Sequence, residues 1–389
     1  MNSKERLFAL KVSLVMVTRM LGLFMLFPVM SVYATSDYSN TTPFLIGLAI
    51  GVYGLTQACL QIPFGYLSDR FGRKPMLLAG LSLFLLGSIV AASTENILFV
   101  VIGRALQGGG AISAVLMAFL ADFVSEESRA KANAFVGFQI GLAFMLSLLI
   151  GPIIASSAGM SGVFWVIAGL SVVAVFIVLT FPSVKPVSYY KLSLSAFKEI
   201  LNPQLMRLDF SVFCLHLILA CGFIVMPLLL IENNIIAIED NWQLYLPAII
   251  ISFVGMVPLI VASEKYKKTK LTLLLSIGLL IISQVLFFSL NLSMDVFLIL
   301  LSLFFIAFNA VEAILPSLLS RTAGASKRGL AMGIFSTSQF LGTFIGGAIG
   351  GLIYDIFDLN SVFLLTIFMA IIWWLVILTM PSKNNTTEK

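Results

Sequence analysis

Long apolar runs separated by short polar or turn-rich breaks recur along the whole chain. At about 20 residues per crossing of a bilayer core, they predict spans near 8–34, 44–67, 75–94, 97–121, 132–156 and 163–181. A second set follows near 207–231, 243–262, 271–291, 295–319, 329–353 and 361–380. The shortest breaks, at Glu95-Asn96 and Asn291 to Met294, are set by helix length as much as by polarity. The expected fold class is an all-α integral membrane protein of twelve transmembrane helices. Its two six-helix halves are 1–181 and 207–389, joined by a linker over 182–206. Lys4, Arg6 and Lys11 precede the first run in the manner of a signal peptide. That run exceeds an h-region of about 7–15 residues and Arg19 interrupts it, so it is read as a retained span.

The charges test this division. Of the 23 basic residues, 21 fall at the two termini and in the even-numbered loops, and the other two, Arg19 and Arg104, lie inside spans. The opposite loops carry only acids: Asp37, Glu95, Glu232, Glu239, Asp240, Asp295, Asp355 and Asp358. Cytoplasmic loops collect Lys and Arg, so both termini are expected in the cytoplasm. A composition of 60% hydrophobic and 11% charged residues excludes a water-soluble fold, against about 25% charged in ordinary domains. The net charge of +5 follows from this topology, so no nucleic-acid partner is inferred.

Several chemistries drop out. Cys59, Cys214 and Cys221 all lie in apolar runs and read as small core residues. His216 is the only histidine, which excludes multi-histidine zinc sites. No Walker lysine loop is present, so bound ATP is not the energy source. No metal or cofactor is expected. A shift of 199 residues lays the first span on the seventh, and Arg129-Ala130-Lys131-Ala132 on Arg328-Gly329-Leu330-Ala331. Two such halves suit the parallel-repeat transporter plan, with a substrate site between them near the midplane.

At the end of the second span stands Gly65-Tyr66-Leu67-Ser68-Asp69-Arg70-Phe71-Gly72-Arg73-Lys74-Pro75. This resembles the loop signature of the major facilitator superfamily, G-x-L-a-D-r-x-G-r-k-x-x-l. Arg104-Ala105-Leu106-Gln107-Gly108-Gly109-Gly110 is similar to the R-x-x-Q-G-x-G pattern of the drug:proton antiporter branch. Gly151-Pro152 is similar to that branch's fifth-span motif, although Ala155 and Ser156 replace its usual glycines. From the residues themselves, Gly65 would let a helix approach closely, Gly72 would supply a tight turn, and Arg70, Arg73 and Lys74 would bridge helix ends. The resemblance implies that Asp69 sits near the start of the eleventh span, around Lys327 to Leu330, where the helix dipole favours a carboxylate. Arg73 would then pair with Asp69 and Asp122, giving a cytoplasmic latch between halves. The plainer reading is a set of solvated loop charges.

Ionisable groups at membrane depth are costly and face a cavity or a partner. Arg19, near the middle of the first span, reads as an anion contact, a charge-balancing group or a structural ion pair. Glu312 shares a helical face with Asn309 and is a protonation-switch candidate. The resemblance implies that Arg104 assists proton movement, and His216, the single histidine, is a further proton-coupling candidate or a packing group. Tyr53, Gln57 and Gln61, Ser336, Gln339 and Thr343, and Gln139 read as cavity walls or as interhelical hydrogen-bonding groups. Together these imply a proton-coupled exporter of amphiphilic or drug-like molecules in a bacterial inner membrane, a monomer in lipid whose partners are its substrate and protons. Transport of a polar metabolite is the alternative reading, and a membrane sensor a third.

Overall fold

The computed structural model describes residues 1–182, 202–237, 240–289, 292–323 and 328–381. Thirteen helices are found there: α1 (Ser3–Phe24), α2 (Phe27–Asp37), α3 (Pro43–Phe71), α4 (Arg73–Ala92), α5 (Ile97–Gly109), α6 (Ser113–Phe123) and α7 (Glu126–Leu179), then α8 (Pro203–Glu232), α9 (Trp242–Glu264), α10 (Thr269–Ser289), α11 (Met294–Thr322), α12 (Arg328–Ile356) and α13 (Leu359–Leu378). They make twelve crossings. α1 and α2 form the first, interrupted at Met25-Leu26, where Pro28 has no N–H to close the turn. α5 and α6 form the fourth, broken at Gly110. α7 has 54 residues, roughly 80 Å at 1.5 Å per residue, against a hydrocarbon core of about 30 Å. Gly159, at φ 63° and ψ −172°, divides it into the fifth and sixth. Asp37 caps the second segment by accepting from the Met160 N–H at 2.7 Å.

Two sequence readings need correction. α8 begins at Pro203, inside the stretch assigned to the linker, because Asn202 accepts from the Gln204 N–H and proline suits the first helical turn. Cys59 is exposed, whereas Cys214 and Cys221 are buried. Residues 183–201, most of the assigned linker, lie outside the described residues.

Basic and acidic loops occupy opposite ends of the bundle. At the basic end, cations close the C-termini of the sixth and twelfth crossings in matching fashion. Lys11 donates to Thr180 Oγ1 at 2.9 Å, and Lys74 to the Leu179 and Phe181 carbonyls. In the other half Arg207 donates to Thr379 Oγ1 at 3.0 Å and Lys270 to the Leu378 carbonyl. Such cations also meet the negative end of the helix dipole. The internal repeat recurs in packing: Gly151 lies against Met25, and Gly350, 199 positions later, lies against Cys221 and Ile224.

The halves meet along α3 and α12 toward the acidic end. A Cβ on Gly47 would stand 2.1 Å from the Gly347 carbonyl oxygen, and Gly51 and Gly54 similarly abut Phe344 and Phe340. In the membrane such small-residue stripes let backbones touch. Ser31 adds a bond to the Phe223 carbonyl, and Phe27 packs on Phe223 at 5.1 Å. Toward the basic end, Gly137 and Gly141 of α7 and Gly329 and Gly333 of α12 face open space. These contacts between the halves thus gather toward the acidic end.

Candidate functional site

In the C-terminal half, α8, α11 and α12 bring three polar side chains together. His216 Nδ1 lies 3.1 Å from the Val212 carbonyl, and its Nε2 lies 2.8 Å from Gln339 Nε2. The neutral tautomer with a proton on Nδ1 satisfies both: Nδ1 donates to the carbonyl, and Nε2 accepts from the amide. Gln339 also donates to Glu312 Oε1 at 3.4 Å. Glu312 Oε2 lies 3.9 Å from His216 Nε2 and has no hydrogen-bond partner, while the side chain as a whole is 37% exposed. The Glu312 side chain is thus partly accessible at membrane depth, although its Oε2 is buried. Asn309, one turn away, instead donates to Ser252 Oγ. Ser336 and Gln139 are partly exposed on α12 and α7.

The N-terminal half holds a second cluster. Arg19 and Arg104 are each 1% exposed and Tyr53 is fully buried. Arg19 donates to Gln57 Oε1 and Ser113 Oγ, and Gln57 donates on to Gln61. Arg104 donates to the Ala49 carbonyl at 3.1 Å and to Gln107 Oε1 at 2.7 Å. Both guanidinium groups lie over the Tyr53 ring, at 5.7 and 4.9 Å from its centroid. Tyr53, Gln57 and Gln61 are buried, with the glutamines in the hydrogen-bond chain from Arg19, and among the described residues Arg19 has no carboxylate partner. Phe144 of α7 bridges the two halves by packing on Phe305 and Phe308 at 6.0 and 6.3 Å.

At the basic end Arg73 pairs with Asp69 at 2.5 Å and with Asp122 at 3.0 Å, and donates to Ser68 Oγ. Gly72 adopts φ 97° between α3 and α4, a region that disfavours side chains. Arg70 lies over the Phe71 ring. Gly65 corrects the close-packing expectation, since a Cβ there would meet nothing within 4 Å; the close approaches on α3 belong to Gly47, Gly51 and Gly54. Among the described residues the recorded bonds of this loop stay within the N-terminal half. Lys327, named for the Asp69 contact, lies outside them.

Sequence reasoning named His216, Gln339 and Glu312 separately but not their meeting, which depends on the register of three helices. The Gly47, Gly51 and Gly54 seam was missed, although glycines at i, i+4 and i+7 were a readable signal.

The family model and a curated relative point to one family. The model described as Major Facilitator Superfamily matches residues 12–308 and 208–389. The inner membrane transport protein YajR of Escherichia coli is 40% identical over 371 residues, covering 94% of this chain and 81% of YajR. A bacterial homologue of the human lysosomal transporter Spinster, in an inward-facing and occupied conformation, superposes with a TM-score of 0.80 at 12% identity over 97% of both chains. A D-xylose–proton symporter gives 0.77 at 16% identity over 98% of both chains. At those identities the solved structures speak to the fold.

Proposed function

Because the chain belongs to the Major Facilitator Superfamily, and is thereby a multi-pass secondary transporter and not an enzyme, we propose that it couples proton movement to efflux of amphiphilic, drug-like molecules. In this reading the basic end faces the cytoplasm with both termini, the proton gradient is the sole energy source, and the unit is a monomer. The observation that carries it is the Glu312, Gln339 and His216 cluster at membrane depth.

A carboxylate at membrane depth is cheap to bury when protonated and costly when charged. Glu312 is the carboxylate placed to carry that proton in this scheme. His216 supplies a second step. Its neutral Nε2 accepts from Gln339; once protonated it must donate instead, which turns the Gln339 amide and directs Nε2–H toward Glu312 Oε2. Substrate would enter between Phe144, Phe305 and Phe308, whose rings offer an apolar wall. Alternating access would follow from opening the α3–α12 seam while the basic end closes, with Asp69, Arg73 and Asp122 as part of the closing latch.

The test is reconstitution in proteoliposomes carrying a pH-sensitive dye, with a panel of amphiphiles. Ligand-induced proton movement is expected, and Glu312→Gln abolishes its pH dependence. Substrate flux without protons, or full pH dependence in Glu312→Gln, overturns the coupling scheme. A polar organic ion is the second reading, favoured by one observation: the buried guanidinium groups of Arg19 and Arg104.

A further inference from the structure

Arg19 and Arg104 bring two permanent positive charges into the N-terminal bundle. Among the described residues no carboxylate pairs with either. Their recorded acceptors are all neutral: two glutamine amides, a serine hydroxyl and a backbone carbonyl. A buried charge without a counter-charge is strongly unfavourable. Three polar atoms are also left over. Arg19 Nε, Arg104 Nη2 and Tyr53 Oη are buried without a hydrogen-bond partner. They belong to one cluster, because both guanidinium groups flank the same Tyr53 ring.

We infer that this cluster is an anion site, in which the guanidinium groups of Arg19 and Arg104 and the Tyr53 hydroxyl take a single negatively charged group. That group is a free monovalent anion or the carboxylate of an amphiphilic substrate. All three leftover atoms are donors toward such a ligand. Arginine suits the role because its fork matches a carboxylate. The groups facing Tyr53 are consistent: α1 supplies Arg19, α5 supplies Arg104, and α12 presents the Phe340 ring at 6.4 Å. The ionisable pair of the other half, His216 and Glu312, bonds to Gln339 instead. Phe340 also belongs to the seam between halves.

The substrate arm rests on the transport reading, but the test does not. Thermal unfolding of the purified chain is followed in sodium gluconate, the reference salt, whose polyhydroxy anion is strongly hydrated. Sodium chloride, sodium benzoate or neutral benzamide is then added at constant ionic strength. A ligand of the native state raises Tm in a saturable way. Chloride or benzoate is expected to do so and benzamide is not. A response to benzoate alone identifies an organic carboxylate, and a response to chloride identifies a free anion. Arg19→Gln and Arg104→Gln should each raise the half-saturating concentration by roughly tenfold or more, which is about 1.4 kcal/mol. Tyr53→Phe keeps the ring and should weaken the response by a smaller factor. In gluconate alone, Arg19→Gln should not lower Tm, since it removes an unpaired charge; a purely structural arginine would lose stability there. The inference is overturned if no anion shifts wild-type Tm, if benzamide equals benzoate, or if the response survives every variant. A tyrosinate absorbance at neutral pH that disappears in Tyr53→Phe would also overturn it, by making the phenol the missing charge. A failed proton-flux assay leaves this result standing, and the reverse holds.

Discussion

Gly47→Ala tests how the halves are held at the acidic end. Its new Cβ would lie 2.1 Å from the Gly347 carbonyl oxygen and 2.8 Å from Gly351 Cα. Ordinary contact begins near 3.4 Å, so α3 and α12 must part by more than 1 Å. Backbone atoms on both sides leave no flexible side chain to give way. Overpacking of this kind costs about 1–3 kcal/mol, and here the cost falls only on the conformation in which the seam is closed. The population should therefore move toward the state open at the acidic end by about 5–150-fold. Gly65→Ala on the same helix is the control, because its Cβ meets nothing. Double electron–electron resonance between labels at the exposed positions Thr35 and Leu352 reads the separation, in a background where the exposed Cys59 is replaced by serine. Gly47→Ala should lengthen the distance distribution and Gly65→Ala should leave it unchanged. If both variants match the parent, the seam does not hold the halves together and the reasoning fails.

Two further outcomes are expected. Asp69→Asn removes one of the two carboxylates on Arg73 and should change the ratio of the two access states; unaltered transport together with an unaltered ratio would sink the latch. Asp358, outside the spans, accepts from the Ser361 hydroxyl and N–H at the start of α13, and these bonds hold its pKa below the usual carboxylate value. A lowered folded pKa means its stabilisation is present above the unfolded value and is lost as pH falls through the folded one. Asp358→Asn should therefore flatten the acid limb of a Tm-against-pH curve, and an identical limb in the variant would refute the assignment.

The spans were legible because lipid imposes one rule along the whole chain: apolar for about 20 residues, then polar. Positions where one backbone departs from that rule were harder to read. Pro28 is an ordinary member of an apolar run, and nothing local shows that it interrupts the first crossing, whereas Gly159 falls in the expected break between the fifth and sixth spans. The charges were legible as types and not as partners. Arg19 and Glu312 both stand out as ionisable groups at depth, and a pairing between them is an easy guess. In the structure Arg19 turns to Gln57 and Ser113 within its own half, and Glu312 turns to Gln339 within the other. Which face of a helix meets which neighbour is a property of the packed bundle. Gly65 makes the same point in reverse: a motif glycine whose local chemistry permits close packing has no neighbour to pack against.

Lys11, Lys74, Arg207 and Lys270 each have two tasks. As positive charges they bias the direction in which the nascent chain is threaded; as donors they close the ends of the sixth and twelfth crossings. Orientation and the finish of each half are thus written in the same four side chains. A chain engineered to insert upside down by relocating these charges would arrive with two frayed helix ends, so its topology could not be inverted without also loosening its architecture.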